Sequence, residues 1–88
     1  MNTHDPQVRE LLALLERETE LPVTIFYSMN ASGEFGIAVK YRLRQKTGAV
    51  VERFDETDSL ATDASGEQRL SRTLVLLRDA IANARRGA

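Results

Sequence analysis

The longest alternation of apolar and polar residues in the chain runs from Phe35 to Lys46, FGIAVKYRLRQK, and it limits the fold more than any other stretch. A period of two marks a strand whose two sides differ. Phe35, Ile37, Val39, Tyr41 and Leu43 share one side; Gly36, Ala38, Lys40, Arg42 and Arg44 share the other. The apolar row must be covered to leave water, whereas the cationic row needs no cover. The expectation is a sheet with one face packed under helices and one face open.

Two segments suit the role of cover. Asp5-Pro6 reads as a helix start, because Asp accepts orphan amides and Pro at the first helical position gives up an amide that had no partner. Val8, Leu11, Leu12, Leu15 and Thr19 follow at helical spacing, with Leu14 off the stripe. The helix is placed at 5–20, closed by Pro22, with Met1 to His4 a disordered tail. Glu16, Glu18 and Glu20 crowd its negative end, so its last turn is expected to fray. Near the other terminus, Ser65 with Gln68 three residues on has the pattern of a capping box. A long helix is expected over 66–85, with a stripe of Leu70, Leu74, Leu77 and Ile81, margins at Thr73, Ala80 and Ala84, and Val75 and Leu76 widening it.

Further strands are expected at 23–29 and 49–54, beside the central one at 35–46. The turn residues Asn30-Ala31-Ser32-Gly33-Glu34 and a three-residue loop Lys46-Thr47-Gly48 would join them as hairpins. Met29 then faces Phe35, Tyr27 faces Ile37 and Ile25 faces Val39; Leu43 faces Val51 and Arg42 faces Glu52. Val23, Ile25, Tyr27 and Met29 belong to the covered side in this register. Residues 55–65 read as an acidic loop. The chain of 88 residues is thus a single domain, 1–88, of the α+β class. It has two layers in the order helix-strand-strand-strand-helix, a three-stranded antiparallel sheet and both helices on one face.

Net charge is only −1, but the charges are segregated. Residues 1–34 carry −4, 35–54 carry +4, 55–68 carry −5 and 69–88 carry +4. Such blocks make patches, which favour a complementary surface over polyanions in general. Cysteine is absent, which points to a reducing compartment, and no apolar run approaches membrane-spanning length. No targeting segment is evident at the start. The expected location is cytoplasmic, away from membranes.

Chemistry has little to work with. The single histidine, His4, lies in the expected tail, where no general base could be held to its proton. Asp55, Glu56, Asp58 and Asp63 offer oxygen ligands to Ca²⁺ or Mg²⁺, yet lack the spacing of a calcium loop and read as a solvated run. No serine sits in a nucleophile elbow, and the glycines are isolated. The chain is therefore expected to be no enzyme, with no cofactor and no metal.

The open sheet face carries the candidate site. Phe26 and Phe54 project to the side of Lys40, Arg42 and Arg44, with Glu52 beside them. Aromatics next to cations fit a protein partner with an acidic and apolar surface, or stack bases and pair phosphates. Alternatively the face is merely solvated, with Arg42 and Glu52 an ordinary cross-strand pair. A homodimer through this face or an edge strand is a further reading.

In element order the chain resembles the double-stranded RNA-binding domain, although that family's Lys-rich start to its second helix is replaced by Ser65-Gly66-Glu67-Gln68-Arg69. The same order, small size and charge blocks are similar to those of phage-encoded inhibitor proteins of the anti-CRISPR type, which occupy a surface on a host complex. That resemblance implies a small protein-binding inhibitor from a phage or mobile element, acting by occlusion. Nucleic-acid binding through the same basic and aromatic face is the alternative, against which the net charge of −1 argues.

Overall fold

The computed structural model describes residues 5–57, 59–61 and 63–87. The expected tail, with His4, and Asp58 of the acidic run lie outside them. The order is α1 (Pro6–Glu18), β1 (Glu20–Met29), β2 (Glu34–Arg44), β3 (Val50–Glu56), β4 (Leu60–Ala61) and α2 (Gly66–Gly87). The three long strands form an antiparallel sheet in the order β1-β2-β3, with the helices on one face, an α+β architecture.

The parity count on the central strand holds in the packing. Ile37, Val39, Tyr41 and Leu43 are buried together with Val8 and Leu15 of α1 and Leu76, Leu77, Ala80, Ile81 and Ala84 of α2. Arg42 and Arg44 on the other side are exposed. The pairs Ile25 with Val39, Tyr27 with Ile37 and Met29 with Phe35 form as expected. So do Leu43 with Val51 and Arg42 with Glu52. Each hairpin tightens on a glycine in the left-handed region, Gly33 at φ 82° and Gly48 at φ 91°, where a side chain would be strained. Asn30 supports the first turn, its Oδ1 accepting from the amides of Ser32 and Glu34. The Asn30 amide donates to the Glu34 carbonyl, so the loop proper is only Ala31 to Gly33.

Several boundaries and faces differ from the expectation. Helix α1 stops at Glu18, and the chain enters β1 through Thr19 alone. The Thr19 hydroxyl donates to the Leu15 carbonyl and so satisfies a helix-end acceptor. Two of the three acids expected to fray this end are instead held from outside it, Glu18 by Arg85 at 3.2 Å and Glu20 by Arg44 at 3.0 Å. Strand β1 includes Pro22, accommodated at an irregularity where the three residues between Glu20 and Thr24 stand against Tyr41 alone in β2. The central strand ends at Arg44 rather than Lys46, and the acidic loop is not wholly loop. Strand β3 runs on to Glu56, and Leu60 pairs with Phe35 in β4 on the same side of β2. Met29, assigned to the covered side, is 65% exposed at the last position of the edge strand β1.

The buried stripe of α2 is rotated from the one drawn on Leu70 and Leu74. Thr73, Leu76, Leu77, Ala80, Ile81 and Ala84 form its centre, and Leu70 and Leu74 are only half-buried. Val75 falls about 200° around the helix from Leu77 and faces solvent. The small residues Ala80 and Ala84 are both fully buried in the cluster shared by α1, β2 and α2. Buried Thr73 returns its hydroxyl to the Arg69 carbonyl at 2.8 Å.

The capping box forms as its spacing predicts. The Gln68 amide donates to Ser65 Oγ at 3.1 Å, and the Ser65 amide donates to Gln68 Oε1 at 2.9 Å. Asp5 caps α1 in the simpler way, accepting from the Gln7 amide. Ser65→Ala should lower the unfolding free energy by about 1 kcal/mol, read from the urea midpoint at unchanged slope. A cost near zero would show that the cap contributes nothing to α2.

Candidate functional site

All six residues of the candidate site lie on the open face, because the registers put even-numbered positions of the three long strands on one side. Phe26 and Phe54 come from the two outer strands and meet across β2, with ring centroids 6.2 Å apart and planes tilted by 39°. Ala38 beneath them is 8% exposed, and its small side chain is what allows the rings to meet over the central strand. The Lys40 ammonium sits 5.7 Å from the Phe26 ring centroid, within cation–π range. Phe26 and Phe54 remain 40% and 53% exposed, so the pair is a partly wetted apolar ridge, not a core.

The cationic row is more neutral than it reads along the strand. Glu20 faces Arg42 from β1, Glu52 faces Arg42 from β3, and Glu56 faces Ala38. Three acids therefore flank the three bases of β2. Arg44 Nε donates to Glu20 Oε1, and Arg44 Nη1 to the Gly48 carbonyl at 3.0 Å. Glu52 lies 3.9 Å from the Lys40 ammonium, along the diagonal, and makes no ion pair within 4 Å with the Arg42 that its backbone faces. Ion pairs this exposed contribute about 0–1 kcal/mol each. Arg42 alone of the three makes no ion pair within 4 Å among the described residues.

Glu20, Glu56 and the exposed Val50 also belong to this face but were not assigned to it from sequence. Glu20 was hidden by its placement in the first helix. Glu56 was legible in principle, since it continues the parity of Glu52 and Phe54 once the strand is extended by two residues. Separately, the solvent side of α2 exposes Arg72, Arg78 and Arg86 around Val75, on the opposite side of the molecule from the sheet's open face.

The acidic stretch does not act as a group. Asp55 turns to the helix side, where its Oδ2 accepts from the Tyr41 hydroxyl at 2.7 Å and from Asn83 Nδ2 at 3.4 Å. Asp63 instead lines a shallow cleft between β4 and the start of α2 with Leu60, Gln68 and Arg72. Among the described residues no three His, Cys, Asp or Glu side chains converge as a metal would require. None of the described helices is long and apolar enough to cross a membrane.

Comparison with protein-family models, curated proteins and solved structures finds no match to this chain. The functional reading therefore rests on the surface itself.

Proposed function

We propose that the chain is a non-enzymatic binding module that docks on a protein partner through the open sheet face and acts by occlusion, as small phage-encoded inhibitors do. The observation that carries the reading is Arg42. Its guanidinium has no ion pair among the described residues, on a face that also presents the Phe26–Phe54 ridge. Arginine and aromatic side chains are enriched at protein interfaces, where a planar guanidinium can take a carboxylate bidentately. Lys40 and Arg44 are already engaged by Glu52 and Glu20, so little free positive charge is left to displace counterions from a nucleic acid.

The test is affinity capture from a bacterial lysate on immobilised protein, followed by titration of the captured partner with Arg42→Glu. Binding should weaken by at least about 10-fold while the circular dichroism spectrum is unchanged. A partner that binds Arg42→Glu as tightly as the parent does not use this face. If instead RNA or DNA binds at low salt and is released steeply by added salt, the face reads phosphates and the protein-partner reading is wrong.

A further inference from the structure

Among the described residues β1 pairs only with β2 and so forms an edge of the sheet, and its residues 21–29, LPVTIFYSM, contain no charged side chain. Thr24, Phe26, Tyr27, Ser28 and Met29 are all exposed along it. In an antiparallel ladder the backbone groups of alternate residues point to alternate sides. The Asn30 amide donates inward to Glu34, which places the amides and carbonyls of Ser28, Phe26 and Thr24 on the β2 side. Those of Met29, Tyr27 and Ile25 consequently point away from the sheet.

Proteins ordinarily guard such an edge with charge, a proline or a covering segment. Pro22 guards only the start of β1. The opposite edge is different: four of the seven residues of β3 are charged, Glu52, Arg53, Asp55 and Glu56. An uncharged edge beside a charged one on the same small molecule limits what can add to it.

We propose that a second copy of this chain pairs with it, β1 against β1 and antiparallel, joining two sheets into one. Antiparallel strand pairing is its own mirror under a two-fold axis, so the contact closes as a dimer. With the axis at Phe26, the outward groups of Ile25 meet those of Tyr27 in the second copy, and those of Met29 meet Val23. The two Phe26 side chains then stand directly opposite at a non-hydrogen-bonded position. This arrangement covers Met29 and Tyr27, which are 65% and 37% exposed in the isolated chain, with apolar side chains of like kind. Pairing β1 with β3 of another copy would set Arg53 and Asp55 against Ile25 and Tyr27, and being head-to-tail it would propagate instead of closing. The two surfaces share Phe26, but Arg42, on which the partner reading rests, lies on β2 away from the edge, so the two readings are tested at different residues.

Sedimentation equilibrium across loadings from about 1 to 200 µM, which spans the micromolar affinity class, is the test. The mass should climb from the 9.9 kDa of one chain to twice that and stop. Met29→Pro removes an outward amide without touching the ladder to β2, and should weaken dimerisation at least 10-fold. Because the chain has no cysteine, Phe26→Cys should oxidise to a disulfide-linked dimer, while Ser28→Cys should not. Arg42→Glu should leave the mass series unchanged. A mass fixed at one chain, growth beyond two, or a dimer indifferent to Met29→Pro would each overturn the proposal; cross-linking at position 28 but not 26 would overturn its register.

Discussion

Leu77→Ala should lower the unfolding free energy by about 2–5 kcal/mol, the range for emptying a fully buried leucine site. Leu77 is 0% exposed and packs in the cluster that joins α2 to Ile37, Val39 and Tyr41. For a domain of this size the total stability is on the order of 4–13 kcal/mol, so the variant forfeits a large share of it. Its thermal midpoint should fall by at least about 10 °C. The control is Val75→Ala in the same helix, at a side chain that is 44% exposed, which should stay within about 0.5 kcal/mol of the parent. Equal costs at the two positions in a urea titration would mean that α2 presents a different face to the sheet.

Stability should also fall steeply in alkali, with Tyr41 as the main cause. Its side chain is enclosed and its hydroxyl donates to Asp55. Burial first, then the Asp55 hydrogen bond and negative charge, raise the Tyr41 pKa well above the usual tyrosine value. Tyr27 is raised too, chiefly by burial and in part offset by its hydrogen bond with Thr73. Above about pH 10 the unfolded chain releases protons that the folded chain keeps, so the stabilisation is complete below that pH and declines above it. Each retained proton adds no more than about 1.4 kcal/mol per pH unit to the decline. Tyr41→Phe should remove most of this slope, at a cost near neutral pH of about 0.5–1.5 kcal/mol for the lost hydrogen bond. Parallel urea midpoints for parent and variant between pH 9 and 11.5 would show that Tyr41 ionises as freely folded as unfolded.

Local signals in this chain translated into structure most faithfully. The Ser65–Gln68 box needs only three residues of spacing and one turn of helix, and it forms between the atoms that the pattern implies. Both hairpin registers followed from loop length and parity, since a slip of one residue would have turned Ile37 and Val39 out of the core. Elements decided by longer-range partners were less legible. Glu20 looked like the end of a helix because its partner, Arg44, lies 24 residues away. Leu60 looked like loop because a two-residue strand carries no periodicity, and only its pairing with Phe35 makes it one. Val75 and Leu76 looked equivalent in a helix with apolar residues on several sides. The position of α2 over β2 buried one and left the other in water.

The charge of the candidate face shows the same division. Alternation along β2 settled that Lys40, Arg42 and Arg44 share a side, because a strand's side-chain directions are fixed by its own backbone. How much of that charge is left for a partner depended on which residues of β1 and β3 stand beside them. That is a matter of pairing between segments far apart in the chain, and the bulge in β1 and the extension of β3 brought in Glu20 and Glu56. Short-range geometry was therefore written in the residues themselves, while the electrostatics of the surface arose only when the strands were brought together.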